Sequence, residues 1–133
     1  MKARIQMKNR PSVWLYQTED CGCSAAVSLA AKSCSAEYHT FGTEKAGMTV
    51  EKIITGADES CPDSSVPVGP VLLMDGFDSK SLDRFLFELR EQCSKRLLPV
   101  IELKAVVTPI NRKWIFSKLA DEILSEHNLM HGK

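Results

Sequence analysis

The chain has 133 residues, of which 44% are hydrophobic and 26% are charged, and its 17 basic and 17 acidic side chains cancel. This length fits one domain with a buried core. The net charge of +0 provides no overall field that would attract nucleic acid or an anionic membrane, and no apolar run reaches membrane-spanning length, so neither partner is expected.

The cysteine content indicates the compartment. Five cysteines are an odd number, and their spacing does not repeat, unlike the pattern of a secreted disulfide framework. Such usage is typical of proteins in a reducing environment. We therefore expect a cytoplasmic protein.

The first half of the chain shows two strand patterns, each followed by a helical pattern. Residues 13–17 (VWLYQ) and 37–41 (EYHTF) are short runs with β-branched and aromatic residues. The alanine-rich segment 20–33 predicts a helix after the first strand. Thr49 is predicted to cap a short helix over residues 50–55.

A change of composition then divides the chain. Residues 56–70 (GADESCPDSSVPVGP) contain Gly, Pro, Ser and Asp but few large apolar groups, which predicts a long surface loop. Such a loop is uncommon inside one compact domain. We expect a single domain over 1–133 with a flexible tail (1–12), a first half (13–55), a linker (56–69) and a second half (70–127).

The second half begins with a strand and an amphipathic helix. Residues 71–74 (VLLM) predict the strand, Asp75 and Gly76 predict the turn that ends it, and Asp78 or Ser79 predicts the next N-cap. The apolar residues of the following helix recur at helical spacing. They are Leu82, Phe85, Leu86, Leu89 and Cys93.

A further strand and helix complete the chain. Residues 100–107 (VIELKAVV) predict a strand that Pro99 opens. Thr108 is predicted as the N-cap of the last helix and Pro109 as its first residue. We expect this helix to bury Trp114, Ile115, Leu119, Ile123 and Leu124.

The element order predicts an α/β fold with a small, mainly parallel four-stranded sheet and helices on both faces. With right-handed crossovers and adjacent first strands of the two halves, the strand order is flavodoxin-like, 2-1-3-4; a thioredoxin-like fold is the alternative. Ligands of open α/β sheets bind beside the switch point, at the carboxyl ends of the strands. Three loops are expected to meet there: 18–23, 75–78 and 107–111.

The second half also carries motifs of a known family. These are the turn Gly76-Phe77 after a strand, the run LKAVVTPINRKW from Leu103 to Trp114, and Glu126-His127 in the last helix. In these motifs residues 70–127 resemble a bacterial family known only as a domain of unknown function (domain of unknown function 3783). The resemblance supports the predicted fold and implies no catalytic residue.

Cys21 and Cys23 flank a glycine at the predicted start of the first helix. A thiol at a helix N-terminus can have a lowered pKa, and thioredoxin-like enzymes place a C-x-x-C motif after a strand. Here the spacing is one residue shorter, Glu19 and Asp20 disfavour the thiolate, and Cys23 shares an apolar stripe with Val27. We interpret Cys23 as a core residue and keep a redox or metal function of Cys21 and Cys23 as the alternative.

Lys104 lies in an otherwise apolar strand, which leaves two interpretations open. It either shares a face with Glu102 and reaches water, or directs a cation towards the helix start at Thr108, where anions bind well. Asn111 is predicted to bond back to the Thr108 backbone as a variant of the capping box. Asp75 could bind a ligand, although an Asp-Gly turn already explains it.

The sequence contains no nucleotide-binding, hydrolase or metalloprotease motif, so we expect no catalytic residue, no metal and no cofactor. It favours a non-catalytic binding or regulatory module for a small anion or a protein partner. A sheet edge or the helix with Trp114 could also mediate association. The predicted ligand-binding residues are Lys104, Thr108, Asn111, Asp75 and Gly76.

Overall fold

The protein was analysed as a computed structural model, which describes residues 11–17, 22–56, 59–63, 70–98, 101 and 103–131, with the backbone alone for 127–131. The predictions for most of the tail (1–10), for Cys21 and for parts of the linker (57–58 and 64–69) lie outside these residues. No helix in the described ranges combines the length and apolarity needed to cross a membrane.

Strands and helices alternate along the described chain. Their bounds are β1 Ser12–Tyr16, α1 Cys23–Ser33, β2 Glu37–Phe41, α2 Val50–Ile54, β3 Val71–Asp75, α3 Ser79–Lys95, β4 Leu103–Val106 and α4 Phe116–His131, with short 3-10 helices at Thr43–Lys45 and Asn111–Lys113.

The four strands form one open sheet in the order β2-β1-β3-β4. The pairs β1–β2 and β3–β4 are parallel, whereas β1 and β3 are antiparallel, with Ser12 opposite Asp75 and Tyr16 opposite Val71. The predicted α/β class and the order 2-1-3-4 are confirmed, and the sheet is mixed. We call the edge at Tyr16 and Val71 the upper edge and the edge at Ser12 and Asp75 the lower edge.

The direction of β3 differs from that in a regular βαβ unit. In a regular βαβ unit a helix carries the chain back along the length of the strand, which is about 17 Å for five residues. The five residues of α2 span only about 7.5 Å. Helix α2 alone is thus too short to return the chain along the strand, and β3 begins with Val71 at the upper edge, where Phe41 ends β2.

The antiparallel pair also separates the three loops that were expected to meet. The chain leaves β1 after Tyr16 at the upper edge but leaves β3 after Asp75 and β4 after Val106 at the lower edge. The prediction of one crevice formed by residues 18–23, 75–78 and 107–111 was therefore wrong. It assumed that β1 and β3 are parallel.

Helices α1 and α3 cover one face of the sheet, which we call the first face. The side chains of Val13 and Leu72 point into this core, together with Phe85 from α3. Of the two predicted caps of α3, Asp78 and Ser79, the N-cap is Asp78. It forms a capping box, because the Asp78 carboxylate accepts from the Ser81 amide at 2.8 Å and the Ser81 hydroxyl accepts from the Asp78 amide at 3.0 Å. This face is closed by two long helices.

The second face carries an aromatic cluster beneath α2 and α4. Phe116 lies between Tyr16 and Phe41, with ring centroids at 5.1 Å and 4.9 Å. The Tyr16 hydroxyl has no hydrogen-bond partner within the described part of the chain. Burial raises the pKa of this phenol, and the negative charges of Asp63 and Glu44 raise it further.

The predicted cap of α2 is confirmed, because the Thr49 hydroxyl accepts from the Lys52 amide at 3.3 Å. The last helix, in contrast, begins at Phe116 and not at Thr108, and β4 covers only Leu103–Val106. The backbone at Trp114 is extended. Its carbonyl accepts from Val50 at 2.9 Å, and this pairing with the segment before α2 delays the start of α4.

Candidate functional site

The lower edge brings together four of the five predicted ligand-binding residues. The parallel strands β3 and β4 end side by side, and the Val107 amide donates to the Met74 carbonyl at 2.8 Å. Asp75 ends β3 and Gly76 follows it, while Thr108 and Asn111 follow β4. Gly76 has a φ of 84°, a left-handed conformation that favours glycine.

The polar groups of Thr108 and Asn111 bond to each other and to the backbone. The Asn111 side-chain oxygen accepts from the Thr108 amide at 2.8 Å, and the Thr108 hydroxyl accepts from the Asn111 amide at 3.1 Å. The Asn111 amide group also donates to the Val106 carbonyl at 3.0 Å. The predicted capping-box variant is confirmed, around a 3-10 turn, and it fixes the path of the loop.

Asp75 lies close to an arginine that the sequence analysis did not single out. Burial raises the pKa of Asp75, and the positive charge of Arg112 opposes this rise. The Arg112 Nε atom lies 3.9 Å from Oε1 of Glu51. Arg112 thus interacts with two carboxylates of the same chain. Its position within the run LKAVVTPINRKW could have indicated it as a candidate site residue.

Lys104 does not join the lower edge. It lies opposite Leu72 in the sheet, and its ammonium group donates to the carbonyl oxygen of Ile101, which precedes β4. The neighbouring Leu103 and Ala105 pack against the core of the second face, so Lys104 lies on the opposite side of β4. The interpretation that Lys104 directs a cation towards Thr108 is not supported by this geometry.

Cys23 is a core residue of the first face, as predicted. It is 3% exposed and packs in the same cluster as Cys93. Gly22 caps α1 with a φ of 84°, and a Cβ at Gly22 would lie 3.3 Å from Leu98. No disulfide joins the four cysteines of the described ranges, and no three His, Cys, Asp or Glu side chains there form a metal cluster.

The segment between β4 and α4 exposes three large apolar side chains. Ile110 is 73% exposed, Trp114 38% and Ile115 42%, so the expected burial of Trp114 and Ile115 was wrong. Phe116 occupies the buried position instead. We call the surface formed by Ile110, Trp114 and Ile115 the Trp114 surface.

A groove of about 530 Å³ runs along the Trp114 surface. It is lined by Trp114 and Ile115 and by four charged residues, Lys113, Lys118, Asp121 and Glu122. Ile110 and these charged residues were not among the predicted site residues. The stretch INRKWIFSK (110–118) mixes apolar and basic residues in a way that could have indicated a surface segment.

Comparison with known proteins finds a family match in the second half of the chain. Residues 70–130 match the family described as "Domain of unknown function (DUF3783)". No curated protein and no solved structure matches the chain. The matched range contains both the lower edge and the Trp114 surface. The resemblance predicted from its motifs is confirmed by this match.

Proposed function

We propose that this protein is a non-catalytic binding module and that a protein partner docks on the Trp114 surface. One observation supports the proposal above all others. Within residues 108–118 the polar side chains of Thr108 and Asn111 bond to the chain itself, whereas Ile110, Trp114 and Ile115 face solvent. The segment therefore offers apolar surface to a partner.

This arrangement has the composition of a protein interface. Single exposed apolar residues are common on protein surfaces and need no explanation. Here Trp114 and Ile115 border a groove whose rim carries Lys113 and Lys118. An apolar centre with a charged rim is typical of interfaces, and tryptophan is enriched among the residues that dominate binding energy.

A small anion is less well supported as the ligand. The lower edge contains the carboxylate of Asp75, and Arg112 interacts there with Asp75 and Glu51. The ammonium group of Lys104 binds the Ile101 carbonyl. These groups leave the apolar Trp114 surface as the better candidate for recognition.

We place this function in the bacterial cytoplasm. The odd number of five cysteines and their irregular spacing support a reducing compartment. The bacterial family that the second half resembles supports a bacterial source.

Peptide selection tests the proposal. Peptides selected from a random display library on the full chain should bind Trp114→Ala and Ile110→Ser at least about tenfold more weakly than the wild type. Phe87→Ser is the matched control, because Phe87 is 53% exposed on α3, outside the Trp114 surface. Equal binding to all variants, or no selected peptide, would contradict the proposal.

A further inference from the structure

The charges along the groove are arranged by sign. Lys113, in the 3-10 helix before Trp114, and Lys118, in the first turn of α4, line one end of the groove. Asp121 and Glu122 follow Lys118 by about one helical turn along α4. The groove lining thus carries two cations and two anions. The basic residues lie at the same end of the groove as Trp114 and Ile115, and the acidic residues lie at the other end. The charge of the groove therefore changes sign along the axis of α4.

This order of charges restricts the partner. A strongly acidic partner that covers the groove meets Asp121 and Glu122, and a strongly basic one meets Lys113 and Lys118. Like charges that face each other across an interface are unfavourable and suppress such partners. The groove therefore suits a partner whose own charges change sign along its length.

A second copy of this chain meets that requirement. A two-fold rotation reverses the direction of α4, so that Lys118 of one copy faces Asp121 and Glu122 of the other, and the reverse. Trp114 and Ile115 of each copy then lose contact with water. The net charge of +0 adds no long-range repulsion between two copies.

We propose that the partner on the Trp114 surface is a second copy of this chain, docked through the beginning of α4 in a two-fold dimer with antiparallel α4 helices. The inference rests on the proposed function, because it uses the same surface and names its partner. Apolar burial at Trp114 stabilises the dimer, and the ion pairs of Lys118 fix the orientation of the two helices.

Sedimentation velocity on the full chain across micromolar concentrations tests the dimer through a charge exchange. The wild type should dimerise reversibly. Lys118→Glu should weaken the dimer at least about tenfold, and so should the double variant Asp121→Lys/Glu122→Lys. An equal mixture of these two proteins should form a heterodimer, because each reversed charge then meets its opposite.

The same experiment includes a control for charge itself. Lys80→Glu makes the same change at an exposed position on α3 and should leave dimerisation unchanged, while Trp114→Ala should weaken it. A monomeric wild type, or a dimer insensitive to Lys118→Glu and Trp114→Ala, would overturn the inference. If the wild type were monomeric but still bound selected peptides through Trp114, only the dimer would be refuted. If it neither dimerised nor bound peptides through Trp114, the docking surface would be refuted as well.

Discussion

The two faces of the sheet are covered in different ways. The first face lies under α1 and α3, of 11 and 17 residues, and exposed apolar residues on α3, such as Phe87, occur singly. The second face has α4 and the five-residue α2, and a 3-10 turn carries the chain from β4 towards α4. The segment that contains this turn is too short to bury all of its apolar side chains, and Ile110, Trp114 and Ile115 remain exposed. The candidate interface follows from that incomplete cover.

The largest expected effects test whether both faces stabilise the fold equally. Phe85 on the first face and Phe116 on the second are both fully buried. We expect Phe85→Ala and Phe116→Ala each to lower the free energy of unfolding by about 3–5 kcal/mol, because each leaves a cavity in a packed core. Urea unfolding measures this. A loss below about 1 kcal/mol for Phe116→Ala would show that the second face contributes little.

A smaller effect is expected at the thiol buried under the first face. Cys23→Ser should lower the free energy of unfolding by about 1–3 kcal/mol, because a hydroxyl replaces an apolar thiol in the core. Cys61→Ser is the control, since Cys61 is exposed, and should change it by less than about 0.5 kcal/mol. The alternative redox or metal function requires the opposite result: unchanged stability of Cys23→Ser with altered metal content or disulfide formation.

The turn that leads towards α4 should show a still smaller effect. Asn111→Ala removes the acceptor of the Thr108 amide and the donor to Val106. We expect a loss of about 0.5–2 kcal/mol, as for other capping residues. Thermal unfolding gives the loss, and faster hydrogen exchange at the Thr108 amide locates it. Unchanged exchange there would mean that the turn does not depend on this side chain.

The smallest effect concerns the dependence of stability on pH at the lower edge. Because burial raises the pKa of Asp75 above its ordinary value of 3.8, the folded state binds a proton at this site more tightly than the unfolded state does. The contribution of Asp75 to stability is therefore most favourable at pH values below its ordinary pKa of 3.8. It declines as the pH rises through the raised pKa of the folded state.

Asp75→Asn should accordingly lose less stability than the wild type between acidic and neutral pH. Thermal unfolding of both proteins across this range measures the difference, with Asp83→Asn on α3 as the control. Parallel curves for Asp75→Asn and the wild type would contradict the assigned cause. Because Asp75→Asn removes the negative charge near Arg112, the stability difference at neutral pH also measures the contribution of this charge pair.

Local patterns in the sequence predict most elements but not every direction. Hydrophobic periodicity located all four strands and the α3 stripe, and capping chemistry located Thr49 and Asp78, because these signals depend on neighbouring residues. The reversal of β3 depends on which edge of the sheet the chain reaches after the connection between β2 and β3. That is a property of the whole connection, and the alternation of elements alone does not contain it.

The candidate site shows the same limit. The bonds between Thr108 and Asn111 are local and were predicted. The exposure of Trp114 depends on a backbone bond from Val50, which is distant in the sequence, so the apolar pattern predicted a buried helix face instead. For Lys104 the sequence left two interpretations open, because its partner Ile101 precedes the strand and no sequence pattern pairs the two residues.

The antiparallel pairing of β1 with β3 has a consequence for folding kinetics. The parallel pairs each join strands of one half, whereas β1 and β3 join the two halves across the whole linker. Closing that longest loop carries the largest entropic cost of the three pairings, so we expect it to limit the folding rate. Leu15→Ala, at a buried position of β1 opposite Leu72, should then slow refolding. Substitutions that shorten buried side chains within either half should mainly accelerate unfolding.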